Sequence, residues 1–255
     1  MIVAAVLPGG VPDVRPGDDL AALLAAAAAS GASASGMRYR AGDVLVVAHK
    51  IVSKAEGATV ALAAVQPGER ALALAAEHGK DARLVEVILD ESEAIVRSRP
   101  GVLICRTRHG FVCANAGVDA SNAPDGELVL LPVDPDASAR ALRAGLRELT
   151  GVAPAIVITD SFGRAWRVGQ CDVAIGIAGL TALEDWRGRA DGAGRRLDAT
   201  IIAVADAAAA AADLTRRKDS REPAVLVRGL EHHVHDDDGP GAAALVRARD
   251  EDLFL

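Results

Sequence analysis

The sequence predicts a globular chain of mixed class, α+β or α/β, and three observations carry that prediction. Helical and strand-like segments alternate along the whole length. Apolar residues make up 51% of the 255 positions and charged residues 25%, the composition of a folded chain rather than a disordered one. Only six residues are aromatic (three Phe, two Trp, one Tyr), so Ala, Val and Leu must build the core through many small contacts. The length suits one large domain or two small ones that share a core.

The elements follow in order. Residues 2–7 read as a short strand stopped by Pro8-Gly9-Gly10. Pro16-Gly17 opens an alanine-rich helix with Asp18 or Asp19 as its cap. After a small-residue loop over 31–42, residues 43–48 form a Val/Leu strand that runs straight into His49-Lys50. Residues 67–77 and 83–97 read as helices. Residues 101–106 and 110–115 read as two strands of a hairpin turning at Arg108-His109-Gly110. Residues 128–131 form a further strand. Residues 137–150 form an amphipathic helix with Leu142, Leu146 and Leu149 at helical spacing. A strand over 154–159 ends on Asp160-Ser161. Strands follow at 173–177 and 200–204, then a helix over 207–217 with a basic end, then a strand over 223–228. Residues 231–241 are polar and bounded by Gly and Pro, so no regular structure is expected there.

Bulk chemistry narrows the function classes. The net charge is −7 and the basic residues are interspersed with acids, which excludes the basic stripe of a nucleic-acid binder. No stretch reaches the roughly 18 apolar residues of a membrane span, and the start lacks the basic segment of a secretory signal. A cytoplasmic protein is expected. The cysteines, Cys105, Cys113 and Cys171, are odd in number and lack CxxC spacing, so neither a disulfide framework nor a zinc site is implied. His232, His233 and His235 precede Asp236-Asp237-Asp238 and look like metal ligands, but no strand or helix is expected to hold them rigid.

Four other groups could carry chemistry. Asp119 and Asp160 each follow an apolar strand, where a fixed backbone aims polar groups into a crevice. With the Ser161 hydroxyl they are hard oxygen donors, suited to Mg²⁺ or Mn²⁺ rather than zinc; an Asp so placed also caps turns. Lys54 can set a point charge on phosphate oxygens, although no P-loop pattern is present. Gly163-Arg164-Ala165-Trp166-Arg167 offers guanidinium forks and a ring face, or a loop pinned by Arg–Asp pairs. Thr215-Arg216-Arg217-Lys218 either stabilises a helix end or meets a nucleotide.

These segments, in this order, resemble the coenzyme F420-0:L-glutamate ligase (γ-glutamyl ligase) family. The likeness runs through Gly10-Val11-Pro12, Arg15-Pro16-Gly17-Asp18-Asp19-Leu20, Gly42-Asp43-Val44-Leu45 and Lys50-Ile51-Val52-Ser53-Lys54-Ala55-Glu56-Gly57. It continues through Ala116-Gly117-Val118-Asp119-Ala120-Ser121-Asn122, Leu131-Pro132-Val133-Asp134, Ile158-Thr159-Asp160-Ser161-Phe162-Gly163-Arg164-Ala165-Trp166-Arg167 and Val204-Ala205-Asp206 to Arg228-Gly229. It implies an α+β fold with mixed sheets and flanking helices, one domain over 1–255 (two intimately packed subdomains at most), and an intertwined homodimer. The C-terminal flavin-reductase-like domain of some relatives is not expected.

The implied activity is GTP-dependent addition of L-glutamate to coenzyme F420-0 through an acyl phosphate, with two Mg²⁺ or Mn²⁺ ions and K⁺. The family's metal carboxylates fall on Asp119 and Asp160, and a second ion's hydroxyl ligand on Ser161. Nucleotide contacts fall on Val11, Pro12, Asp13 and Val14, on His49, Lys54 and Asn122, and on Arg216, Arg217 and Lys218. Catalytic roles fall on Asp119, Asp160 and Lys54. His49 stands where relatives often have Ser or Gln, Val168 where Asn is usual, Cys171 where Thr is usual and Arg217 where Gly is usual. The departures at Val168, Cys171 and Arg217 favour one alternative, a non-catalytic ligand-binding homologue; because no residue pattern marks a glutamate pocket, a ligase of the same scaffold joining a different carboxylate and amino acid is the other.

Overall fold

The computed structural model describes residues 1–30, 38–121, 123–217 and 219–253. The elements in order are β1 (Val3–Val6), α1 (Leu20–Ser30), β2 (Val44–Ala48), α2 (His49–Ala55), β3 (Thr59–Ala61), α3 (Glu69–His78) and α4 (Ala82–Asp90). Next come β4 (Ser92–Arg99), β5 (Val102–Thr107), β6 (Val112–Ala114), β7 (Glu127–Val129), α5 (Pro135–Thr150) and β8 (Ala155–Arg164). The chain closes with β9 (Arg167–Ala178), β10 (Leu183–Asp185), β11 (Ile201–Ala203), α6 (Val204–Asp213) and β12 (Ala224–Arg228). The architecture is α+β, with mixed sheets and flanking helices.

A five-stranded sheet in the order β1-β12-β2-β8-β9 forms the frame. Only β2 and β8 run parallel; the other neighbours are antiparallel. The strand period of two splits β2 between two cores. Leu45 and Val47 face one core with Ile156, Ile158, Leu226 and helices α1 and α5. Val44 and Val46 face the other with Val157, Val225, Val227 and the alanines of α6. Burial on both faces explains why β2 is a continuous apolar run. Ala205, Ala208, Ala209 and Ala212 let α6 approach the sheet closely. The caps follow their side chains. Asp19 Oδ1 accepts the Ala22 N–H at 3.0 Å before α1, and Asp134 Oδ1 accepts the Ala137 N–H at 2.8 Å before α5.

Parallel strands require a crossover, and here the crossover carries a module. Between α2 and α5 the chain builds α3, α4, the β3–β7 pair and the β4-β5-β6 sheet around a third core of Ala71, Val85, Ile88, Leu103, Cys105 and Leu128. The module therefore delivers whatever lies in residues 115–121 to the end of the main sheet.

Three expectations need correction. Residues 83–97 are not one helix, because α4 stops at Asp90 and Ser92–Arg99 is a strand paired with β5. The β-branched Ile95 pairs with Cys105 of β5, a tertiary pairing that overrides the helical pattern. The strand expected to end at residue 159 continues to Arg164 and returns as β9, so residues 160–172 are a hairpin arm and not a loop. The helix of residues 207–217 ends at Asp213, so Arg216 and Arg217 lie beyond its last turn.

Candidate active site

The pairing of β8 with β2 ends at Ala48 and Thr159, so Asp160 is the first residue of β8 without its parallel neighbour. A crevice beyond the carboxyl ends of parallel strands is where open sheets place ligands. Ala48 is extended, with φ −65° and ψ 131°, and the chain then turns at once into α2. Two consecutive residues of that first turn reach two acids that are 41 positions apart in sequence (160 − 119).

Lys50 Nζ donates to Asp119 Oδ2 at 2.6 Å, to Ser121 Oγ at 2.5 Å and to the Ser121 carbonyl at 3.3 Å. Asp119 Oδ1 accepts the Ser121 N–H at 2.6 Å. The Asp119 backbone is locked to Val129 by hydrogen bonds of 3.0 and 2.8 Å, which fix the acid on the module. His49 Nε2 lies 3.3 Å from Asp160 Oδ1, near enough to attract it but without hydrogen-bond alignment. Its Nδ1 is 3.3 Å from Ser53 Oγ. Asp160 Oδ1 also accepts the Ser161 N–H at 2.8 Å.

Both acids are held ionised. Burial pushes the Asp119 carboxyl up, but the Lys50 and Ser121 hydrogen bonds more than offset it. Burial likewise pushes Asp160 up, and the His49 ring, the Ser161 N–H and Lys50 bring it below its ordinary value. Lys50 thus acts on both carboxylates. Cys113 sits beside Asp160; burial and that charge push its thiol up to about 12, so it is inert as a nucleophile.

Behind these acids lies a buried latch. Thr159 and Ser161, on the same face of β8, donate to Asp172 at 2.9 and 2.6 Å. The Arg216 guanidinium pairs with the same carboxylate and donates to Thr159 Oγ1 at 3.2 Å. Arg216 also donates to the Pro223 carbonyl at 3.2 Å, which in turn accepts the Ala48 N–H at 2.8 Å. The loop after α6 is thereby tied to the β2–α2 junction.

The remaining sequence candidates distribute as follows. Lys54 is half-buried in the last turn of α2, four residues from Lys50 and so on the same helix face. Val14 is buried, Val11 is half-buried, and Pro12 and Asp13 are exposed. Their loop is fastened to α2 by the Gly17 N–H on the Ala55 carbonyl at 2.8 Å. Arg217 is exposed and pairs with Asp219 at 3.1 Å. Asn122 and Lys218 lie outside the described residues. Arg164 is spent on the Val168 carbonyl at 2.8 Å, within the hairpin arm.

Sequence reading assigned no role to Lys50, Ser121, Thr159 or Asp172. The alternation of Thr159 and Ser161 on one strand face could have pointed to Asp172. Among the described residues, no three His, Cys, Asp or Glu side chains gather to hold a metal ion unaided, at His232, His233 and His235 or elsewhere.

Comparison with known proteins adds the family. A family model described as F420-0:Gamma-glutamyl ligase matches residues 10–229. The coenzyme F420:L-glutamate ligase of Methanopyrus kandleri is 49% identical over 243 residues, covering 94% of this chain and 93% of its own. That of Methanothermobacter thermautotrophicus is 44% identical over 246 residues, 96% of each chain. That of Haloarcula marismortui is 43% identical over 251 residues, 96% of this chain and 92% of its own. This chain belongs to the F420-0:gamma-glutamyl ligase family.

Proposed function

We propose that this family member is a coenzyme F420-0:L-glutamate ligase that uses GTP to form an amide between the substrate's carboxylate and the amine of L-glutamate. The observation that carries the reading is the convergence of Asp119 and Asp160, from different cores, on adjacent residues of α2. The family match and the names of the relatives support it.

A carboxylate resists attack by an amine, because it is already negative and has no leaving group. The nucleotide's γ-phosphoryl group is first moved onto that carboxylate, and GDP departs. The glutamate amine then attacks the acyl phosphate, the C–O bond to phosphate breaks, and the amine proton is lost as the amide forms.

The donor set fits divalent ions. Mg²⁺ is bound through one or two carboxylates plus substrate phosphates rather than by an all-protein cage, and this site offers the carboxylates of Asp119 and Asp160 and the Ser161 hydroxyl, while Asp172 beside Ser161 is occupied by Arg216. Asp119, Asp160 and Ser161 would hold Mg²⁺ or Mn²⁺. Bound there, the ions supply charge neutralisation to the polyphosphate in a loose transition state. Lys54 adds a fixed positive charge on the phosphates. Residues 11–14, His49, Asn122 and 216–218 border the nucleotide. Asp172 and Arg216 keep Ser161 aimed. Catalysis is then mostly positioning and electrostatics. K⁺, a homodimer and a cytoplasmic location belong to the same proposal.

The test incubates the protein with F420-0, GTP, Mn²⁺, K⁺ and L-glutamate and weighs the product. A product heavier by one or more glutamyl residues is expected. Nucleotide binding without any mass gain would mark a non-catalytic homologue, and gain only with another amino acid a different ligase. In Asp119→Asn, glutamate-dependent GTP hydrolysis should fall by about 100-fold or more through loss of a metal ligand. A folded variant that turns over normally removes Asp119 from the site.

A further inference from the structure

The Lys50 ammonium is held in the kind of seat a metal ion takes. Three oxygens surround it: Asp119 Oδ2 at 2.6 Å, Ser121 Oγ at 2.5 Å and the Ser121 carbonyl at 3.3 Å. A carboxylate, a hydroxyl and a main-chain carbonyl are hard donors that also suit a divalent ion. Lys50 further lies within electrostatic reach of Asp160, so its charge acts on both acids of the site. Its flexible four-carbon stem lets the charge relocate without moving α2.

We propose that Lys50 and the divalent ion compete for the Asp119–Ser121 oxygens, and that Lys50 yields this seat to the ion by moving onto the nucleotide's phosphates. This rests on the metal reading of Asp119 given above and adds a partner exchange to it. A divalent ion on Asp119 Oδ2 would share the oxygen that now accepts the Lys50 ammonium. Two like charges a few ångströms apart in a half-buried site also repel strongly. Without nucleotide, expelling Lys50 strands a cation against its surroundings. With nucleotide, the polyphosphate offers it a new anion. Lys50 therefore makes the ion and the nucleotide bind as a pair, each raising the affinity of the other, as reciprocal linkage requires. No rotation of the module is needed, only a change of partner at one side chain.

The experiment measures Mn²⁺ binding by electron paramagnetic resonance, with and without the β,γ-imido analogue of GTP. The proteins are the unaltered chain, Lys50→Met, Lys50→Arg and Asp119→Asn. In the unaltered protein the analogue should tighten Mn²⁺ binding at least tenfold. Lys50→Met should bind Mn²⁺ about tenfold tighter without nucleotide and lose most of the analogue's effect. Lys50→Arg, which keeps the cation, should resemble the unaltered chain. Where Met does not fold, Lys50→Gln, close in length and neutral, takes its place. Unchanged or weaker Mn²⁺ binding in the neutral variant overturns the exchange. Asp119→Asn keeps the two claims apart. If it binds Mn²⁺ as the unaltered chain does, the metal reading itself is wrong; if it loses Mn²⁺ while Lys50→Met is unchanged, only the exchange is wrong.

Discussion

Both ends of the central sheet bury an aspartate against an arginine, yet the groups around the two pairs differ in kind. At the amino end of the parallel pair, Asp43 takes Arg228 in a fork, Oδ1 to Nε at 2.8 Å and Oδ2 to Nη2 at 3.1 Å. Nearby, Arg143 donates to the carbonyls of His235, Asp236 and Asp237 and to Asp238 Oδ1. These guanidiniums are committed to carboxylates and main-chain carbonyls that cannot leave, and Arg143 pins a polar segment for which the sequence promised no regular structure. A cavity of about 660 Å³ opens here between Gly42, Arg143, Arg147, Glu231 and His235. At the carboxyl end, Asp172 takes Arg216 just as firmly. In front of that pair, however, stand a lysine, hydroxyls and carboxylates, several of whose contacts are to other side chains that a ligand could replace. Cavity volume and a buried ion pair are found at the end without exchangeable partners, so neither feature separates the proposed site from the rest of the sheet.

Substitutions can break this contrast. The largest effect is expected for Asp172→Ala, which strands a buried guanidinium and frees Thr159 and Ser161. It should cost about 3–5 kcal/mol of stability and remove turnover, read by urea unfolding and by glutamate-dependent GTP hydrolysis. A stable, active variant would show that the latch does not aim Ser161. Asp43→Ala should cost about 3 kcal/mol for the same reason but leave kcat per folded molecule unchanged; a tenfold drop in kcat would mean that the two ends are coupled. Lys54→Ala should raise the Kd for GTP about tenfold, or 1.4 kcal/mol, with no change in melting; unaltered binding would make it a surface lysine.

The smallest effect is at Asp206, whose carboxyl is pushed up by burial although it accepts the Ala174 N–H at 2.9 Å. Its contribution to stability is complete below the ordinary carboxylate value and is lost as pH rises through the folded value. Asp206→Asn should therefore raise Tm by about 2 °C near neutral pH and leave it unchanged in acid. An increase that persists in acid would point to packing instead.

Local patterns in the sequence predicted local structure. The Val/Leu run of β2, the cap at Asp19 and the buried stripe of Leu142 and Leu146 were all legible, although Leu149 on the same expected stripe is exposed. The 92–99 strand was not, because its partner β5 decides its conformation and its mixed charge resembles a helix surface. The hairpin arm was read as a loop because glycines and arginines interrupt its apolar alternation. The acids at 119 and 160 stood out through their family pattern. Lys50 and Asp172 did not, because their partners lie on other elements and no local period encodes such pairs.

The crossover module has a consequence for how the protein opens. Asp119 rides on one packed unit and Asp160 on another, and α2 touches both. Should the module loosen as a cooperative unit, the meeting of Asp119 and Asp160 at α2 would come apart while the five-stranded sheet still resisted hydrogen exchange. Ligand that bridges the two acids would then suppress that partial opening first, slowing exchange in residues 59–131 more than in the strands of the sheet.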